Sequence, residues 1–203
     1  MLPTPYQTRT LLIAPGERYD VLVEIGADTT LRNNFYDRGH HIPDVGPVDL
    51  MGVNVGAAGP APGALPTTWG DVAPIAVDAS TPRLQFELRE NEVGVAEPEF
   101  SINHEKYPDV TPRAGKTGDI AIWESVNKTE MDHPFHLHGM SFQVLGDDGL
   151  TPARLGWKDT VNVPQSATVR FAVKYGPAGR WMFHCHILEH AERGMMGELD
   201  LAP

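Results

Sequence analysis

A single cysteine among 203 residues excludes an internal disulfide, so cysteine usage describes neither a stapled scaffold nor a compartment. Long hydrophobic runs are missing as well. With 41% hydrophobic residues and no stretch of membrane-spanning length, the chain is expected to be soluble and globular, with no membrane span. Positive charge is scarce: 16 Lys and Arg face 27 Asp and Glu. The resulting net charge of −11 argues against nucleic acid or an anionic membrane as partner and leaves room for neutral or cationic small molecules. The opening stretch MLPTPYQTRTLLIAPGERYDVLVEIG lacks the basic start and apolar run of an export signal. No helical periodicity of useful length is present.

Turn formers are plentiful. Gly 20 and Pro 18 punctuate short Val, Ile, Thr and Phe runs, the pattern of an all-β chain. Thr8–Ile13 and Arg18–Ile25 read as two strands joined at APGE, and two strands alone bury no core. Residues 1–26 are therefore expected to be the closing strands of a preceding domain, and the Gly/Pro-rich residues 27–70 an irregular connection. Residues 71–203 form the main domain. There, about eight strand signals (RLQFELR, EFSIN, DIAIWESV, FHLHGMSFQVL, KDTVNV, TVRFAVKY, RWMFHCHI and GELDL) predict a Greek-key β-sandwich.

Six of the 9 histidines fall in two short windows, HPFHLHG with His133, His136 and His138, and HCHILEH with His184, His186 and His190. Windows of that combined length should hold fewer than one by chance. Side chains alternate along a strand, so His136 and His138 share a face, and His184 and His186 share a face that Cys185 turns away from. Two metal centres on opposite sides of one strand follow, linked by a short bonded path suited to electron transfer. The second centre combines Cys185 with His190, His133 and, across a turn at Gly194, Met195. Two imidazoles, a thiolate and a weak axial thioether suit copper better than zinc. The plainer readings are a buried apolar filler for Cys185, core packing for Met195, and surface positions for His40, His41 and His104. Trp157 reads as core or pocket wall. Asp132, Glu130 and Asp159 are the nearby carboxylates able to orient a ligand ring.

With HPFHLHG and HCHILEHAERGMM in view, supported by GWKDTV, YGPAGRWMFHCHI and APGERYDVLVE, the chain resembles the C-terminal half of multicopper oxidases of the laccase-like, bacterial copper-efflux or spore-coat type. The resemblance implies a cupredoxin-like fold. It also implies type 1 copper on His133, Cys185 and His190 with Met195 axial, type 2 copper on His136, and a type 3 pair on His138, His184 and His186. A reducing substrate (phenols, aromatic amines or metal ions) would deliver electrons near His190, and Cys185 would pass them to a trinuclear cluster that reduces O2 to water. Two departures stand out. The family draws further cluster histidines from HxH motifs in an N-terminal cupredoxin portion, whereas adjacent His40 and His41 cannot supply such a pair. Many bacterial relatives place an acid where Ala191 stands, so protons would come from Glu189 or Glu192, or turnover would be slower. The 7 methionines form no cuprous-ion insertion, which favours aromatic donors. The alternative is a stand-alone blue-copper electron-transfer or copper-binding module that does not reduce O2. A defective fragment that folds without metal is a third reading. The family also implies a periplasmic or extracellular location.

Overall fold

The structure, a computed structural model, describes residues 2–39, 43–57, 59, 63–64, 66–91 and 99–203. Ten strands build two five-stranded sheets. One runs in the order β4 (Phe100–Ile102), β3 (Arg83–Glu90), β6 (Ile120–Asn127), β10 (Thr168–Lys174), β8 (Phe142–Val144). The other runs β5 (Arg113–Lys116), β12 (Met196–Ala202), β11 (Gly179–Cys185), β7 (His133–Leu137), β9 (Thr160–Val163). The pairs β3·β6 and β12·β5 are parallel and the remaining ladders antiparallel. This mixture is the crossed connectivity of a Greek-key sandwich. The one helix among the described residues, α1 (Leu188–Glu192), is a short turn following β11.

Alternating apolar residues from both sheets meet between them. Phe86 and Trp123 from one sheet pack against Phe135 and Phe183 from the other, with Phe86–Trp123 centroids 4.4 Å apart and Phe86–Phe183 4.8 Å apart. Burial of such rings supplies the main driving force, roughly 1.5–3 kcal/mol per fully buried side chain. The Trp123 indole N–H donates to the Tyr175 hydroxyl at 3.1 Å, so this polar atom is satisfied inside the core.

Four expectations change. The run FHLHGMSFQVL is two strands in different sheets, because Gly139 adopts φ +72 and packs where any side chain would strike the Trp181 ring. RAGK, too poor in β-formers to signal a strand, becomes β5 because β12 offers it a parallel ladder. Neither Thr8–Ile13 nor Arg18–Ile25 is a strand, since neither has a ladder partner among the described residues. Conversely, the supposedly irregular connection contains a strand pair, β1 (Thr29–Asn33) with β2 (Val48–Val53).

Candidate metal centre

The ladder between β7 and β11 sets both clusters. His184 lies directly opposite His136, and Cys185 opposite Phe135. Cross-strand partners share a face and neighbours along a strand do not. His136 and His184 therefore project to one side of this sheet, while Cys185, Phe135 and, two residues earlier, His133 project to the other.

On the inner side, the ligand atoms of His133, Cys185 and His190 lie within 4.8 Å of one another. The Cys185 sulfur stands 3.6 Å from His133 Nδ1 and 3.5 Å from His190 Nδ1, and the two nitrogens are 3.1 Å apart. All three residues are buried. His190 reaches them because α1 turns the chain back after β11, and Phe100 stacks on its ring at 3.9 Å. Gly194, at φ +112, has no room for a side chain beside Lys106 and the Phe100 carbonyl, which lets the chain reverse tightly there. Met195 is then tied to both neighbours: its N–H donates to the His190 carbonyl at 2.9 Å, and its own carbonyl accepts from the Cys185 N–H at 3.1 Å. Its side chain is fully buried in the core.

Hydrogen bonding selects the His133 tautomer. The Thr129 hydroxyl donates to Asn127 Oδ1 at 2.8 Å and so accepts from His133 Nε2 at 2.7 Å. The Nδ1 lone pair is left facing the sulfur. Burial pushes the Cys185 thiol up to about 12, so without a cation it stays protonated. Two imidazole nitrogens converging on a buried sulfur form a donor set that fits copper, whose charge would favour the thiolate.

On the other side, His136, His138 and His184 bring their ligand atoms within 4.8 Å of one another. The His186 ring stands 5.5 Å from that of His136 and 5.6 Å from that of His184. His184 Nδ1 donates to the Cys185 carbonyl at 2.8 Å. His136 Nδ1 sits 3.0 Å from the Asp159 carbonyl and 2.9 Å from the Thr160 hydroxyl oxygen. Both rings thereby direct Nε2 into the group, where His138 Nε2 lies 2.9 Å from that of His184. Burial, then the neighbouring His138 and His184, lowers His136 to about 4, so its lone pair is available at neutral pH. This group opens to solvent through a cleft lined by His138, Met140 and Ser141.

Several sequence-based assignments of orienting groups differ from the structure. Hydroxyls of Thr129 and Thr160 hold ligand-type rings, and Asp159 contributes through its carbonyl and, by way of the Thr160 hydroxyl, through its carboxylate. Asp132 instead accepts from Tyr36 (2.7 Å), Asn162 (2.6 Å) and the Gln165 N–H (3.0 Å), and Glu130 is exposed. Only Thr129, four residues before His133, carried a local signal; Thr160 meets His136 through strand register. Glu189 and Glu192 are exposed on α1. His104 is exposed near Glu87, Trp157 is 37% exposed, and His40 and His41 lie outside the described residues.

Comparison with known proteins returns one consistent picture. Residues 79–203 match the family model for multicopper oxidase. A laccase from Bacillus subtilis (strain 168) is 28% identical over 237 aligned positions, covering 99% of this chain and 44% of its own length. A solved multicopper oxidase from the hyperthermophile Aquifex aeolicus superposes with a TM-score of 0.73 at 30% identity, over 87% of this chain and 41% of that one. Another from Campylobacter jejuni, described as a metallo-oxidase, gives 0.71 at 26% identity over 88% and 42%. The chain thus spans less than half the length of these relatives.

Proposed function

The chain belongs to the multicopper oxidase family, matching its C-terminal half, and from that premise we propose that it is the C-terminal portion of a laccase-like oxidase. His133, Cys185 and His190 would hold type 1 copper with Met195 axial. His136 would hold type 2 copper, and His138, His184 and His186 the type 3 pair. Copper bound at these positions would supply one-electron chemistry, drawing electrons from phenols, aromatic amines or metal ions and delivering them to O2, which becomes water. The chain's own residues contribute orientation and insulation. Thr129 and Thr160 fix which ring nitrogen carries the proton, and Phe100 and the core exclude water from the sulfur.

One observation carries this reading: adjacent residues of β11 serve opposite groups, and the His184 ring also donates to the Cys185 carbonyl at 2.8 Å. A thiolate at the inner group and imidazoles at the outer one are thereby connected through bonded atoms and one hydrogen bond. The open side of the outer group suits completion by an N-terminal cupredoxin portion bringing further histidines. We assign residues 1–26 to the end of a preceding domain, 27–70 to an interdomain connection and 71–203 to the C-terminal domain. The exposure of Val21, Leu22 and Val23 (61–70%) supports the first assignment, since neighbouring apolar side chains in solvent mark a surface that is normally covered. A periplasmic or extracellular location is part of the same proposal.

The test combines the chain with an N-terminal cupredoxin portion and follows copper content and oxygen uptake. Copper content rising beyond the inner site together with O2 consumption is expected, and an assembled, copper-loaded pair that consumes no O2 overturns the oxidase reading. The inner trio is complete within this chain while the outer group stays open, which favours a second reading, a stand-alone blue-copper module. That reading predicts a blue chain with the inner site alone filled and no O2 reduction.

A further inference from the structure

The stretch APGERY, residues 14–19, makes a tight turn far in sequence from the histidine motifs, yet it touches the outer group twice. Its ends are closed by the Glu17 N–H donating to the Ala14 carbonyl at 3.0 Å and by the Ala14 N–H donating to Glu17 Oε2 at 2.9 Å. Glu17 in turn pairs with Lys158, whose ammonium also donates to the Tyr19 hydroxyl at 3.0 Å. The turn is thereby held against the segment carrying Asp159.

Two contacts reach the histidines. Gly16, at φ +84, lies so close to the His186 ring that a Cβ there would fall 2.5 Å from its Cδ2. Arg18 grips Asp159 with both guanidinium nitrogens, at 2.6 and 2.7 Å, and donates to the Gly16 carbonyl at 2.8 Å. Asp159 Oδ1 accepts the Thr160 hydroxyl at 2.9 Å, and the Thr160 oxygen faces His136 Nδ1 at 2.9 Å. A hydroxyl that has given its single proton to a carboxylate can only accept from the ring. The relay Arg18–Asp159–Thr160, together with the Asp159 carbonyl 3.0 Å from the same nitrogen, therefore holds the His136 proton on Nδ1 and leaves Nε2 as the donor atom.

We propose that the 14–18 turn is a clasp that positions half of the outer group: Arg18 sets the His136 tautomer through Asp159 and Thr160, and Gly16 sets the tilt of His186. The proposal rests on the reading that this group holds copper. Binding and clasp closure are then linked, so copper at the histidines favours docking of the turn and a docked turn favours copper.

The experiment titrates the full chain with Cu(II). Visible absorption reports the inner trio, and EPR reports copper at the outer group with its nitrogen hyperfine pattern. Arg18→Ala and Asp159→Ala are expected to weaken outer-group binding by about 10–100-fold, the usual cost of losing a partner that orients a ligand, with the visible band unchanged. Arg18→Lys restores only part of the loss, because a point charge cannot reproduce the two-pronged contact. Gly16→Ala changes the hyperfine pattern through His186. Arg154→Ala removes a different contact of the same N-terminal stretch, its guanidinium lying 3.6 Å over the Tyr6 ring, and leaves binding unchanged. Unaltered outer-group affinity in Arg18→Ala overturns the clasp, as does an equal loss in Arg154→Ala or an unaltered chain that takes no copper at this group. A missing visible band in the unaltered chain counts against the proposed function instead, since EPR reads the outer group independently.

Discussion

The inner and outer histidine groups are built on the same two strands, yet they differ in nearly every physical respect. The inner one draws its three close donors from β7, β11 and α1, is sealed by Phe100 and the core, and has its key tautomer set by a residue four positions away. The outer one is part-exposed, faces a cleft, and depends on a turn more than a hundred residues upstream for its orientation. A self-contained site can be assembled by local folding, whereas an open one is left for other segments to finish. On the proposed function, the contrast explains how one chain would carry one complete centre and one incomplete centre without any defect in the fold.

The sharpest way to break the comparison is Cys185→Ser. A hydroxyl is a poor ligand for a soft metal, so the visible thiolate–copper band should vanish entirely while EPR-detected binding at the outer group persists. Simultaneous loss at both groups would show that they are not separable. Thr129→Val should be milder: with the acceptor gone, the His133 ring is free to change tautomer, and inner-site affinity measured against a competing chelator should fall about 10–100-fold with the outer group unaffected. The smallest effect concerns the frame. Asp148 is held at about 2, below its ordinary 3.8, by the Thr151 hydroxyl first and then by the Leu150 and Thr151 amides. A depressed carboxylate stabilises the folded chain above its ordinary value and loses that contribution as pH falls through about 2. Asp148→Asn should therefore lower the melting temperature slightly at pH 7, and the difference should disappear below about pH 2. Copper lost from the outer group near pH 4 would then come from protonation of His136 and not from melting of this turn.

Much of this was legible in the residues. Strict alternation through HCH and HLH placed thiol and imidazoles on opposite faces before any coordinates, because the period of a strand is fixed by its backbone. The short apolar runs of the sandwich were equally plain. What escaped was contact that only tertiary pairing creates: Thr160 beside His136, Arg18 beside Asp159, and a ladder for RAGK, where Gly115 lies against the Tyr175 ring. The strands expected over residues 8–25 show the converse. Val21–Val23 has strong β-propensity, but propensity without a ladder partner among the described residues makes no sheet.

The pairing of His184 with His136 carries one more implication. Slipping β11 by a single residue against β7 would send the thiol outward to the cleft and an imidazole inward among the phenylalanines, scrambling both groups at once. The seam itself tolerates neither insertion nor deletion, so the separation between sulfur and outer rings is a constant of the backbone that side-chain substitution elsewhere cannot retune.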